Sequence, residues 1–121
     1  MYHDQIAKDF CQYYYHLWDT NFPLINNLYT NDSKITYLER EFNNFNYLLN
    51  YIKYVDKIYR FDHISVTALS QIIDNNTILI NVVGVIAVND ICFRNFNESI
   101  ILKRNVWEKY YITNSIFRLS N

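Results

Sequence analysis

The chain has 121 residues, with 11 basic and 12 acidic side chains, a formal net charge of -1 and 50% hydrophobic residues. That length suits one domain, residues 1–121, whose folding buries about two thirds of the surface exposed by the unfolded chain. The charges are scattered without a basic block, which excludes the electrostatic footprint of a nucleic-acid binder.

Cys11 and Cys92 lie far apart with no CxxC, which speaks against a disulfide framework or structural zinc site and suits a reducing compartment. The N-terminal MYHDQIAKDF has no apolar core of a signal peptide, so none is expected there. The longest apolar stretch, Ile78 to Val88, is interrupted by Asn81 and is too short to span a bilayer. Aromatic residues are unusually frequent, with 12 Tyr, 8 Phe and 2 Trp. Tyr buries a large ring and keeps a hydroxyl for water or a partner, which suits surfaces that meet other molecules.

Residues Asp4 to Asp19 are predicted as an amphipathic helix, because Ile6, Phe10, Tyr13, Tyr14, Leu17 and Trp18 recur at spacings of three and four. Asp4 is its expected N-cap. Pro23 suits the first turn of a second helix, Pro23 to Tyr29, and residues 30–33 read as a polar turn. Lys34 to Leu38 is a short strand candidate with Phe42 as its continuation, and Asn44 to Tyr54 is a third helix. Ile58 to Leu69 alternates loosely, with Phe61, His63, Ser65 and Thr67 on one parity. Thr77 to Val88 is a long β-branched strand covered on much of both faces; Phe93 to Lys103 and Trp107 to Leu119 follow, separated by turns. Helices first and long strands afterwards imply an α+β fold, a curved antiparallel sheet wrapped around the N-terminal helix.

The chain shows weak catalytic patterns only. One glycine cannot build a phosphate loop, and no GxSxG, HExxH or metal-ligand spacing occurs. Asp62 and His63 are strand neighbours and point to opposite faces, so they form no dyad with each other. Glu39 and Glu41 flank Arg40 as surface charges, and Asn89-Asp90 is a turn. No metal, cofactor or catalytic residue is expected. A concave, aromatic-lined mouth over a helix is where a pocket forms. The strands Thr77–Val88 and Phe93–Lys103 hold more apolar residues than one face uses, so an oligomer is expected.

Phe10 to Tyr37 resembles the opening of the nuclear transport factor 2 family: Phe10, Tyr14, Tyr15, Trp18, Asp19 and Thr20, then Leu28-Tyr29 and the strand Ile35-Thr36-Tyr37. Val82-Val83-Gly84, the strand FNESIILK beginning at Phe96 (Phe-x-Gln in the family) and the ending Asn114 to Leu119 continue the match in order. The resemblance implies a cone-shaped, non-catalytic homodimer formed by sheet packing. It implies import of the small GTPase Ran in its GDP form and binding of Phe-Gly-repeat nucleoporins, with residence in cytoplasm, nucleus and nuclear pore. By the same resemblance, the cavity and rim would comprise Tyr37, Leu38, Glu39, Phe61, Asn81, Asn89, Asp90, Ser99 and Ile116. Tyr2 and His3 would meet nucleoporins, and Val83, Val85 and Arg118 would lie in the dimer interface. The rim departs from the family pattern: Leu38, Asn89 and Ile91 stand where the family has carboxylates, and Asn81, Arg94 and Ser99 stand where some members have Met. An alternative relative is the small subunit of a heterodimeric mRNA export receptor, which Val106-Trp107 resembles slightly more. Isomerases and dehydratases use the same cone. They need an inward acid or base; no inward Asp or Glu is legible, leaving Tyr14, Tyr37 and His63 as candidates.

Overall fold

A computed structural model describes residues 2–120. Helix α1 spans Tyr2–Thr20 and buries Ala7, Cys11, Tyr14, Tyr15, Leu17 and Trp18, a single face at helical spacing. Asp4 is not its cap but sits inside the first turn, where its carboxylate accepts from Ser70 Oγ at 2.6 Å. A 3-10 helix, Phe22–Leu28, follows with Pro23 in its first turn, where a missing N–H costs nothing. Helix α2, Phe45–Asn50, is capped by Asn44, whose side chain accepts from Tyr47 N, and continues as a π-helical turn, Tyr51–Val55.

The strands are β1 (Tyr29–Tyr37), β2 (Arg40–Phe42), β3 (Phe61–Asp74), β4 (Thr77–Val88), β5 (Cys92–Arg104) and β6 (Tyr110–Ser120). They form one curved sheet in the order β2-β1-β6-β5-β4-β3. The α+β architecture expected from the chain is therefore present, with one difference in the sheet. β1 runs parallel to β6, whereas every other neighbouring pair is antiparallel. A parallel pair needs a long connection, and the chain between β1 and β6 supplies one.

The sheet curls over α1 so that its inner face and the helix share one core. Ile78, Ile80, Val82 and Ile86 of β4 and Phe96, Ile100 and Leu102 of β5 are all buried there. The alternating residues of β4 and β5 face outward. A bulge between His63 and Ser65 shifts β3 by one residue, so Phe61 and His63 pair with inward Val88 and Ile86 while Ser65 and Thr67 pair with outward Val85 and Val83. The single parity expected for those four residues is thus broken at Ile64. At Gly84 the β3 backbone comes close to β4: a Cβ there would overlap the Ser65 carbonyl and come within 2.9 Å of the Phe96 ring. Only glycine fits that contact. No described helix is long and apolar enough to cross a membrane.

Candidate functional site

Period-two alternation in β5 places Glu98 on the same face as Phe96, Ile100 and Leu102, directly behind α1. Its carboxylate is 1% exposed and accepts hydrogen bonds from the Tyr14 hydroxyl at 2.9 Å and the Tyr15 hydroxyl at 2.9 Å. Tyr14 extends the chain of hydroxyls to Tyr29 at 3.3 Å, and Tyr29 to Ser115 at 3.0 Å. Burial pushes the Glu98 carboxyl up to about 7 despite the two tyrosine hydrogen bonds, which pull the other way. The same burial, with Glu98 adding negative charge nearby, raises Tyr14 and Tyr15 and pushes the Cys11 thiol up to about 12. The cone therefore has an inward carboxylate, which corrects the expectation that none exists. Its signal was present in the strand FNESIILK, where the inward parity reads Phe, Glu, Ile, Leu.

A second polar pair joins the last turn of α1 to the start of β3. Asp19 Oδ1 lies 2.7 Å from His63 Nδ1, and Asp19 Oδ2 accepts from the His63 backbone N–H at 3.0 Å. The His63 side chain packs against Tyr15, Trp18 and Phe96, and its Nε2 is buried with no partner. Both residues border a cavity of about 690 Å³ between α1 and β3, with Cys11 and Tyr15 on the same wall. His63's polar partner is thus Asp19, 44 residues away in sequence. Sequence neighbours alone could not show it.

The mouth of the cone is a separate cavity of about 360 Å³ at the β1–β2 turn. Tyr37, Leu38 and Glu39 line it together. Leu38 turns the chain with a φ of 58° while its N–H is held by the Phe117 carbonyl at 2.8 Å. Tyr37 stacks on Phe117 with ring centroids 5.5 Å apart, and burial raises its hydroxyl above the usual tyrosine range. Arg40, Arg94 and Arg118 complete the wall with Tyr51 and Leu119.

The remaining expected rim residues are dispersed. Phe61 faces a third cavity, of about 540 Å³, between the end of α1, the 3-10 helix and α2. Asn89 serves the fold: its Oδ1 accepts from Tyr59 N and Arg60 N, and its Nδ2 donates to the Lys57 carbonyl. Asp90 pairs with Arg60 at 3.4 Å on the surface. Asn81, Ser99 and Ile116 stand in one row across β4, β5 and β6 on the outer sheet face, opposite the core. They do not line the cavity, because each is one residue out of phase with an inward neighbour. Val83 and Val85 share that outer face, and Arg118 lies opposite Asn97 on it. Tyr2 is exposed at the start of α1, whereas His3 is engaged with Ser70 at 3.0 Å. Among the described residues, no group of three or more His, Cys, Asp or Glu side chains is placed to hold a metal ion.

No curated protein matches this sequence. The fold is similar to nuclear transport factor 2 (Ntf2) from Cryptosporidium parvum, with 27% identity, a TM-score of 0.86 and coverage of 97% of this chain and 94% of that one. It is also similar to yeast Ubp3-associated protein Bre5, at 17% identity, a TM-score of 0.73 and coverage of 96% and 95%. A provisionally named scytalone dehydratase from Novosphingobium aromaticivorans shares the fold at 11% identity, a TM-score of 0.73 and coverage of 98% and 85%. The nuclear transport factor 2 (NTF2) domain model matches residues 6–119, so nearly the whole chain from α1 to β6 is accounted for by one family. The chain belongs to the nuclear transport factor 2 domain family.

Proposed function

We propose that this protein is a non-catalytic, dimeric carrier in nucleocytoplasmic transport. The observation that carries this reading is the sealing of the cone. Glu98, the one buried carboxylate among the described residues, is closed behind Tyr14 and Tyr15, and it lines none of the cavities described above. The buried carboxylate is thus shut off from the mouth, where the lining carboxylate is the exposed Glu39, and that separation supports recognition rather than turnover. The outer sheet face supports dimerisation, because Leu69, Val83 and Ile116 are exposed there among polar neighbours. The resemblance names GDP-bound Ran and Phe-Gly nucleoporins as partners, and cytoplasm and nucleus as compartments. The test is capture by the purified protein of GDP-loaded Ran, GTP-loaded Ran and Phe-Gly peptides. GDP-selective capture supports import. No capture of either form, with only monomer in light scattering, overturns it in favour of the small subunit of an mRNA export heterodimer.

A second reading, acid–base chemistry on a small molecule, is favoured by Glu98 itself, because a carboxyl poised near 7 between two tyrosine hydroxyls is suited to proton transfer. It requires α1 to move and open the core. Deuterium exchange into a panel of enolisable ketones, present in the native protein and abolished in Glu98→Gln, would establish it; no exchange retires it.

A further inference from the structure

Three arginines line the mouth, Arg94 from the inward parity of β5, Arg40 from β2 and the exposed Arg118 from the outward parity of β6 at its edge; the lining carboxylate is the exposed Glu39, and Asp56 is near enough to act on Tyr37. Among the described residues none of these arginines forms an ion pair. Arg94 follows the inward parity of β5, since it pairs with buried Ile86 and lies two and four residues before Phe96 and Glu98. Its Nε is buried with no hydrogen-bond partner. A guanidinium stem taken out of water without an acceptor is costly, and an oxyanion in the cavity would supply that acceptor. Arg40 lies over the Tyr51 ring at 5.0 Å from its centroid, so its head is held against the same cavity. Tyr37 and Tyr51 meet edge to face, with centroids 6.5 Å apart, and give the site an apolar aromatic wall.

We propose that the mouth is an oxyanion-binding site that takes a carboxylate or phosphate carried on a single flat ring. The guanidinium groups would grip the anion in the forked geometry that suits planar oxyanions, and the ring would lie on the tyrosine wall. A cavity of about 360 Å³ is at the small end of ligand sites and accommodates a group of that size. The basic mouth also selects against a partner that presents lysine or arginine there, because like charges at close range are unfavourable. The anion could come from a free metabolite or from a side chain of a protein partner; the chemistry recognised is the same.

The test is an NMR-monitored titration of the intact protein with phenyl phosphate, benzoate, inorganic phosphate and neutral benzyl alcohol. A phosphotyrosine peptide and its unphosphorylated form are added to distinguish a displayed group from a free one. The site is supported by saturable binding of phenyl phosphate, benzoate or the phosphopeptide, with shifts centred on Arg40, Arg94, Tyr37 and Tyr51 and weakened by salt. Arg94→Met should then weaken binding at least about tenfold, the loss expected for one charged hydrogen bond. Arg94→Lys should fall in between, and Arg60→Met, outside the mouth, should bind as the native protein does. Folding of each variant is read from the same spectra, with Arg40→Met as the second probe if Arg94→Met is disordered. No saturable binding, equal binding by Arg94→Met, or shifts scattered over the surface would overturn the site. Binding of inorganic phosphate as tight as that of phenyl phosphate would also overturn it, as an adventitious ion only. None of these outcomes decides the transport reading, which the Ran capture tests separately.

Discussion

The Tyr15 hydroxyl donates to the Glu98 carboxylate across 2.9 Å, joining the middle of α1 to the middle of β5. The bond holds the N-terminal helix to the inner face of the sheet through a group that is costly to bury when charged.

The first prediction concerns pH. The folded Glu98 carboxyl sits at about 7 against an ordinary value of 4.5, so between those limits the folded state holds a proton that the unfolded state has lost. Stability therefore falls as pH rises through that window, by on the order of 3 kcal/mol from this group. Glu98→Gln removes the titration and should flatten the profile. Urea unfolding of both proteins at about pH 5 and about pH 8 measures the difference. A native protein as stable at the higher pH as at the lower, or a variant with the native slope, contradicts the assignment.

Gly84→Ala tests the close approach of β3. The new methyl meets a backbone carbonyl at Ser65, which cannot swing aside as a flexible side chain would. A loss of about 2 kcal/mol or more is expected from forced overpacking. Chemical denaturation reads it directly, and hydrogen exchange should show the loss concentrated in the β3–β4 ladder. A variant as stable as the native chain would mean that the strands separate here freely.

Asn89 ties the loop after the π-helical turn to the β4–β5 turn. Asn89→Ala loses the acceptor for Tyr59 N and Arg60 N and the donor to Lys57, and puts alanine at a φ of 53°. A cost of about 2 kcal/mol is expected from lost hydrogen bonds and left-handed backbone strain. Asn89→Gly relieves the strain while still losing the bonds, so it should be the less destabilised of the two in thermal unfolding. Reversal of that order would show that left-handed backbone strain is not what alanine costs here, and a variant pair as stable as the native chain would show that the bonds are immaterial.

Val83→Lys combined with Ile116→Lys tests the outer sheet face. Both side chains are exposed and stand clear of the core, so the fold should persist in circular dichroism. If that face forms the dimer, two buried lysines per subunit should yield monomer in light scattering. A variant that remains dimeric places the interface elsewhere.

The order of elements was legible in the chain because periodicity is local. The spacing of Tyr14, Leu17 and Trp18 marks a helix face, and the β-branched run from Thr77 to Val88 marks a strand, whatever lies around them. The motifs from Phe10 to Leu119 also carried the family. Boundaries and facing were less secure. A strand assignment without its bulge cannot say which parity points inward, so the bulge at Ile64 changed the facing of Ser65 and Thr67. Kinship points Asn81, Ser99 and Ile116 at the cavity, whereas pairing register puts them on the outer face.

The sequence by itself determined a helix-then-strands chain, an α+β cone and its family, since these depend on patterns repeated along a contiguous stretch. Only the tertiary structure decided what Glu98 meets. Its partners lie more than 80 residues away on another element, at separations of 84 and 83 residues. Whether a carboxylate there is a surface charge or the polar centre of the core depends on what α1 lays over it. Long-range packing sets that environment, and the environment sets the charge.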